Sequence, residues 1–444
     1  GVIFMPGGTW TFQDKVRPGA YVNFSADRAF SEVSPGNGVV TMGLKMSWGP
    51  EKTVFEVFAT DMINGNGEAL IGYPGGHLKA MAFKECLSQC HKVLAYRVNC
   101  HGNKAAINLG ALVATAKYTG VRGNDISVSV VSGDSGFLVN TYVDGTLVES
   151  QKVLNNAVPL DNDWVVFTAT GALTAAVATK LVGGTDGNAT SADYGDYFQV
   201  MKNKSWQIMA LPSEETYLPP LLKAYIMDLR ENCGKKVQGV AFNYAADYEG
   251  IITVDQGYIR NGITVAPHNF VAWVAGASAG AEIYESNTYK VIDDADVIVG
   301  EVAIDEIEAK LQRGFFMIAR RTDGTIVVEQ DINTLTSFNV NKSGVFSKNR
   351  VVRTLDKIAN GISHIFEANY IGSINNNAEG RDLFKQDIIA FFYELQGVGA
   401  VEKFDGAEDI FVVKGTGAES VQVNLAVCPV DAMEKLYITV EVAA

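Results

Sequence analysis

Between Phe346 and Phe384 the chain reads FSKNRVVRTLDKIANGISHIFEANYIGSINNNAEGRDLF, and this stretch constrains the fold more than any other. Val351, Leu355, Ile358 and Ile362 recur at i, i+4, i+7 and i+11, which puts them on one buried stripe of a helix. The spacing predicts a helix over Ser347–Tyr370, a turn over Ile371–Asn377 and a second helix from Arg381. That second helix carries Phe384, Ile388, Phe391 and Leu395 on one side and ends at Gly397. Arg350, Arg353 and Lys357 line a neighbouring face of the first helix, and together with Lys342 and Lys348 they stand against only Asp356. A row of cations on a helix usually faces water. Concentrated in a chain of formal net charge -14, this row marks a docking surface instead.

A chain of 444 residues exceeds one ordinary core and predicts two to four domains. With 47% hydrophobic and 19% charged residues it has the composition of well-packed soluble protein. Fifty acidic against 36 basic residues argue against general nucleic-acid binding, which needs a basic footprint. No run of 18 apolar residues occurs, so no membrane insertion is expected. The opening GVIFMPGGTWTFQDKVRPG lacks a charged region followed by an apolar one, so no signal peptide and assembly in a cytoplasm are expected. Five cysteines fit reduced, buried thiols better than a disulfide framework.

In order, the chain reads as an N-terminal arm and strand (1–25), the first part of an α/β domain (26–102), an inserted all-β domain (103–190), the second α/β part (191–338), an α+β C-terminal domain (339–433) and a terminal arm strand (434–444). In the first arm the segment Ala20, Tyr21, Val22, Asn23, Phe24 alternates, with Val22 and Phe24 on one face. A helix from His77 to Cys90 leads into the strand KVLAYRVN, an α/β unit with crossover connections. The insert, sandwich- or barrel-like, carries short strands and a hairpin signal at Asp144-Gly145. WQIMALP, a helix marked by Leu218, Leu222, Tyr225 and Leu229, and VQGVAF form a βαβ unit, with Gly234 as the helix stop. PHNFVAWVAGASAGAE reads as a buried strand running into a tight turn. From Glu282 to Glu308 nine acidic residues face only Lys290, an acidic pole. Strands are expected at Val401–Phe404, Asp409–Lys414 and Ser420–Val427. In the tail, Ile438, Val440 and Val442 face one way and Tyr437, Thr439 and Glu441 the other, with Leu436 leading in.

Gly276-Ala277-Ser278-Ala279-Gly280 matches the GxSxG nucleophile elbow and gives the alternative reading, a serine hydrolase using Ser278. An elbow needs a helix next, then an acid and a histidine. AEIYESNTYK follows, and the only later histidine is His364, so small residues at a sharp turn explain the pattern more simply. Cys86, Cys90, His91, Cys100 and His101 have the wrong local geometry for a zinc knuckle, and no metal ligand is assigned. No phosphate loop occurs, and no cofactor or catalytic residue is expected.

FSKNRVVRTLDKIANGI followed by IGSINNNAEGRDLFKQDIIAFFYELQ closely resembles the C-terminal domain of contractile tail sheath proteins of myophages and phage-derived bacteriocins. KVRPGAYVNF, VVTMGLKMSWGPE and the VAG stretch resemble the same family, so the likeness spans the chain and is least distinct in the β insert. The resemblance implies a structural subunit, not an enzyme: a multi-domain α/β protein whose C-terminal assembly domain is completed by strand-exchanging terminal arms. It implies stacked hexameric rings around a tail tube, contraction that drives the tube through a target envelope, and baseplate and tail terminator proteins as further partners. A lone terminal strand is a template for another chain's sheet edge. Ala20–Phe24 and Leu436–Val442 are therefore expected to complete sheets in neighbours, hinged at Pro18-Gly19 and at the Val430–Glu434 connector. Lys348, Arg350, Arg353 and Lys357 are the candidate contact to an acidic tube, or to the acidic pole of a neighbour.

Overall fold

A computed structural model describes residues 38–133, 135–154 and 157–441, which divide into two compact units. The unit built from 41–87 and 92–202 begins with β1 (Val39–Leu44), β2 (Val54–Phe58) and β3 (Lys92–Arg97), ordered β1-β3-β2. β2 and β3 pair antiparallel, from Val54↔Tyr96 to Phe58↔Lys92, so the expected crossover ends in an antiparallel neighbour. The connection holds α1 (Ala59–Asn64), α2 (Glu68–Ile71) and α3 (Met81–Leu87). His77 caps the 3₁₀ turn before α3 by accepting from the Lys79 amide.

The insert is a sandwich of two antiparallel sheets. One is β4 (Ala106–Leu109), β5 (Leu112–Ala116) and β9 (Val165–Ala169). The other, ordered β10-β6-β7-β8, contains β6 (Ile126–Gly133), β7 (Gly136–Val143), β8 (Thr146–Val153) and β10 (Ala176–Lys180). Period-two alternation turns Ile126, Val128 and Val130 of β6 inward with Leu112, Ala114, Val165 and Phe167, around Trp48 and Trp164. Asp144 and Gly145 close the β7–β8 hairpin with φ of 51° and 80°, the paired positive values of a type I′ turn. Asn103 and Thr185 exchange both backbone hydrogen bonds at 3.1 Å, so the chain enters and leaves the sandwich at one point. α4 (Ser191–Lys202) follows, and the sequence reading did not anticipate it. The Asp193 carboxylate accepts from the Thr190 amide and hydroxyl, and the Asp193 amide donates to Thr190 Oγ1, a capping box that was present in the letters.

The unit holding 203–441 carries the parallel set β13-β12-β11, with β11 (Ile208–Ala210), β12 (Gln238–Phe242) and β13 (Ile251–Val254). α5 (Leu218–Met227) connects β11 to β12 as expected, running through one π turn at Asp228–Asn232 to Gly234 at φ 72°. PHNFVAWVAGASAG is not a strand: it forms α6 (Pro267–Gly280), with Pro267 at its first turn and every residue from Phe270 to Ala279 buried. A helix buried on all sides shows no amphipathic period, which is why it read as a strand. β14 (Gly257–Arg260), β15 (Ile263–Val265) and β16 (Ala295–Val299) form an antiparallel sheet, and the acidic pole becomes β16 together with α7 (Ile304–Gln312). β17 (Ile318–Arg320) and β18 (Ile326–Val328) are the expected hairpin around Asp323-Gly324.

α8 (Asn349–Asn369) and α9 (Ala378–Gly397) match the helix pair read from the sequence. Val351, Leu355 and Ile358 are buried, and Ile362 packs at the margin. On α9 the residue buried with Phe384, Ile388 and Leu395 is Phe392 (0% exposed), while Phe391 is only partly covered, a one-residue correction. β19 (Val401–Glu402) pairs with β22 (Cys428–Pro429), and β20 (Ile410–Lys414) with β21 (Val421–Leu425). Phe392 stacks on Phe404 at 4.6 Å to close this core. Cys86, Cys90 and Cys100 are buried outside any disulfide, as expected, but Cys233 is half-buried and Cys428 is exposed.

Candidate functional site

The first turns of α8 do not present a solvated row of cations. Ile332 and Lys348 form a β-bridge, and the Asn349 amide donates to the Asp331 carbonyl, so the segment after β18 lies against the helix start. The fully buried Asp331 carboxylate accepts from the Asn287 amide at 3.0 Å and from Asn349 Nδ2 at 2.9 Å. Arg353 sits 3.6 Å from it and donates to the Glu285 carbonyl at 2.7 Å. Arg350 is 7% exposed. Burial pushes its guanidinium below the usual range, with Asp431 acting against that shift. Lys357, one turn on, is half-buried.

Lys348 makes a contact that no local pattern of residues announces. Its ammonium pairs with Glu434, whose carboxylate also accepts from Thr288 Oγ1 and Gln330 Nε2, each at 2.8 Å. Burial would raise the Glu434 carboxyl, but these three donors outweigh it and hold the group below the ordinary glutamate range. Glu434 is 11% exposed at its side chain, whereas Met433 is fully exposed and Leu436 is 82% exposed. One carboxylate thus fastens the chain where the body ends and the arm begins.

Beyond that point the residues at 435–441 pair with no strand among the described residues. Tyr437, Ile438 and Val440 are exposed along with Leu436, and Thr439 and Glu441 alternate with them. The segment read as a donor strand is thus exposed and, among the described residues, in no strand. Ala20, Tyr21, Val22, Asn23, Phe24 and Val442 lie outside the described residues.

Ser278 occupies the last turn of α6, 1% exposed, with no hydrogen-bond partner at Oγ. It sits inside a helix and not at a strand-to-helix turn, so the elbow geometry is missing. The small residues serve packing: a Cβ on Gly280 would lie 1.9 Å from the Gln89 carbonyl oxygen. Among the described residues no group of His, Cys, Asp and Glu is arranged to hold a metal ion, and no helix is long and apolar enough to cross a membrane.

Three family models match consecutive stretches: the phage tail sheath protein beta-sandwich domain over residues 101–186, the phage tail sheath protein central domain over 187–334 and the phage tail sheath C-terminal domain over 341–443. The phage-like element PBSX protein XkdK of Bacillus subtilis is 33% identical over 470 residues, covering 99% of this chain and all of that one. The crystal structure of a sheath tail protein from Desulfitobacterium hafniense superposes with a TM-score of 0.83 at 37% identity, covering 95% of this chain and 99% of that one. The anti-feeding prophage helical sheath in its contracted state shares the fold, with a TM-score of 0.55 at 12% identity over 96% of this chain and all of that one.

Proposed function

This chain belongs to the phage tail sheath protein family, and from that premise we propose that it is the subunit of a contractile sheath, stacked as six-membered rings around a tail tube. The rings shorten to drive the tube through a target envelope, and the particle is a phage tail or a tail-like relative assembled in a bacterial host. Its partners are further copies of itself, the tube, and baseplate and tail terminator proteins. The observation that carries this reading is the run from Leu436 to Glu441, apolar on alternate residues, exposed and in no strand among the described residues. A strand in that condition is stable only when another sheet edge takes it up. Donor and acceptor are different surfaces, so the contact is heterologous and propagates into rings or helices. Ala20–Phe24 is assigned the same role at the other end.

The tube remains the proposed inner partner, with Lys348, Arg350, Arg353 and Lys357 as its candidate contacts. Lys348 and Arg353 already face carboxylates of their own chain. With those pairs kept, added contacts to exposed tube carboxylates, worth roughly 0–1 kcal/mol each, make a weak contact of the kind a sliding sheath needs. The contracted array supplies the driving force through new subunit contacts, held off by a kinetic barrier.

Removing residues 436–444 tests the reading. The shortened chain is expected to be a soluble monomer with the melting temperature of the full chain, and negative-stain microscopy should find no rings or striated tubes. Full-length tubes from the shortened chain would end the strand-donation reading.

A further inference from the structure

We propose that Glu434 is a positioning residue for strand donation, a latch that fixes where and in which direction the C-terminal arm leaves the body. The inference rests on the strand-donation reading and adds to it the element that aims the strand. The last backbone anchor before the arm is the Val430 amide, which donates to the Ala400 carbonyl. Without a further hold, everything after Val430 would swing from that point. Glu434 supplies the hold from three separate places in the fold: Thr288 before β16, Gln330 after β18 and Lys348 at the start of α8. Because Met433 and Leu436 on either side are exposed, the fastening is a single point and not a packed segment.

The connector from Val430 to Glu434, expected to act as a hinge, is thus tied at both ends, and the free arm starts at Lys435. The described part of the arm, 435–441, reaches about 23 Å when extended. Fixing the origin and heading of a short donor raises its effective concentration at an acceptor edge within that reach. It also removes the loss in apparent affinity that comes with arms pointing elsewhere.

The test alters the body and leaves the arm's own sequence intact. Lys348→Met combined with Gln330→Met removes two of the three donors. Trypsin cleavage after Lys435 requires the residues on both sides to enter the protease extended, so it is slow while Glu434 is held. The double variant should be cut about tenfold faster, and its critical concentration for sheath assembly should rise about tenfold, as when only a tenth of the arms are correctly aimed. Assembly of every variant is measured without tube, so that the proposed tube contact of Lys348 plays no part. The exchanged pair Lys348→Glu with Glu434→Lys should then return assembly to near the wild-type concentration, a rescue that a merely structural role would not give. Unchanged cleavage, unchanged assembly despite faster cleavage, or failure of the exchanged pair would each overturn the latch. Shortening the chain by 436–444 separates the two ideas. If that deletion abolishes assembly and Glu434→Ala does not affect it, only the latch fails; if the deletion leaves assembly intact, strand donation itself fails.

Discussion

Lys235 shows how one side chain couples this fold to pH. Its ammonium lies 4.1 Å from the centroid of the Trp206 ring, and burial pushes it down to about 7. In the unfolded chain a lysine titrates near ~10.4. Between those values the unfolded state binds the extra proton, so this residue makes stability rise with pH, by at most about 1.4 kcal/mol per unit. The penalty is fully present below pH ~7 and is gone above pH ~10. Lys235→Met keeps the length of the stem and removes the titration. The variant should be more stable than wild type in urea denaturation at neutral pH, with the difference shrinking as pH rises towards ~10. A difference that stays constant across that range would show that Lys235 titrates alike in both states. Neighbouring Lys236, lowered to about 8 mainly by burial, is untouched in both proteins and cancels in the comparison.

At the scale of elements, the π turn after α5 and the middle of α8 are joined by a buried ion pair. Arg230 Nη2 donates to Asp356 Oδ1 at 2.8 Å while Nη1 reaches both the other carboxylate oxygen and the Val237 carbonyl. Burial alone would lower the Arg230 guanidinium, but Asp356 beside it prevails and keeps it charged. Asp356→Ala leaves that cation buried without a partner and should cost about 3–5 kcal/mol, whereas Arg230→Met with Asp356→Leu should be near neutral. Guanidinium denaturation of both variants measures this; equal losses in the two would mean that packing, not the pair, holds α8 there. In the sequence Asp356 stood out only as the lone acid among cations, and nothing local announced Arg230, 126 residues away. The same limit explains what could be read and what could not. α8 and α9 were legible because one face of each is buried and the other is wet. α6, buried all round, lost its period, and only Pro267 marked its start. The four cations were visible, but Asp331 and Glu434, which engage two of them, are brought there by tertiary folding. The alternation of the tail was legible because its pattern is local, but among the described residues the tail pairs with no strand.

At the scale of the molecule, the chain enters and leaves the sandwich at a single gate, while Arg97 donates to the Thr119 carbonyl at 2.8 Å and Arg122 to the Gly72 carbonyl at 2.5 Å to hold it to the rest of its unit. Asn103 and Thr185 face each other in a two-bond bridge, so joining them requires only a tight turn and no rearrangement of the strands on either side. The sandwich core does draw in Trp48, which is fully buried and packs 5.2 Å from Trp164. Cutting the insert away therefore uncovers an aromatic surface that must be made polar to avoid aggregation. A chain in which a short Gly-rich turn replaces residues 104–184, carrying Trp48→Gln, should fold with its remaining strands intact. If assembly is a property of the terminal arms and the C-terminal domain, that chain should still polymerise into tubes with an unchanged axial repeat by electron microscopy. A folded chain that stays monomeric would place essential subunit contacts on the sandwich instead, and the arms alone would not then suffice to hold the lattice together.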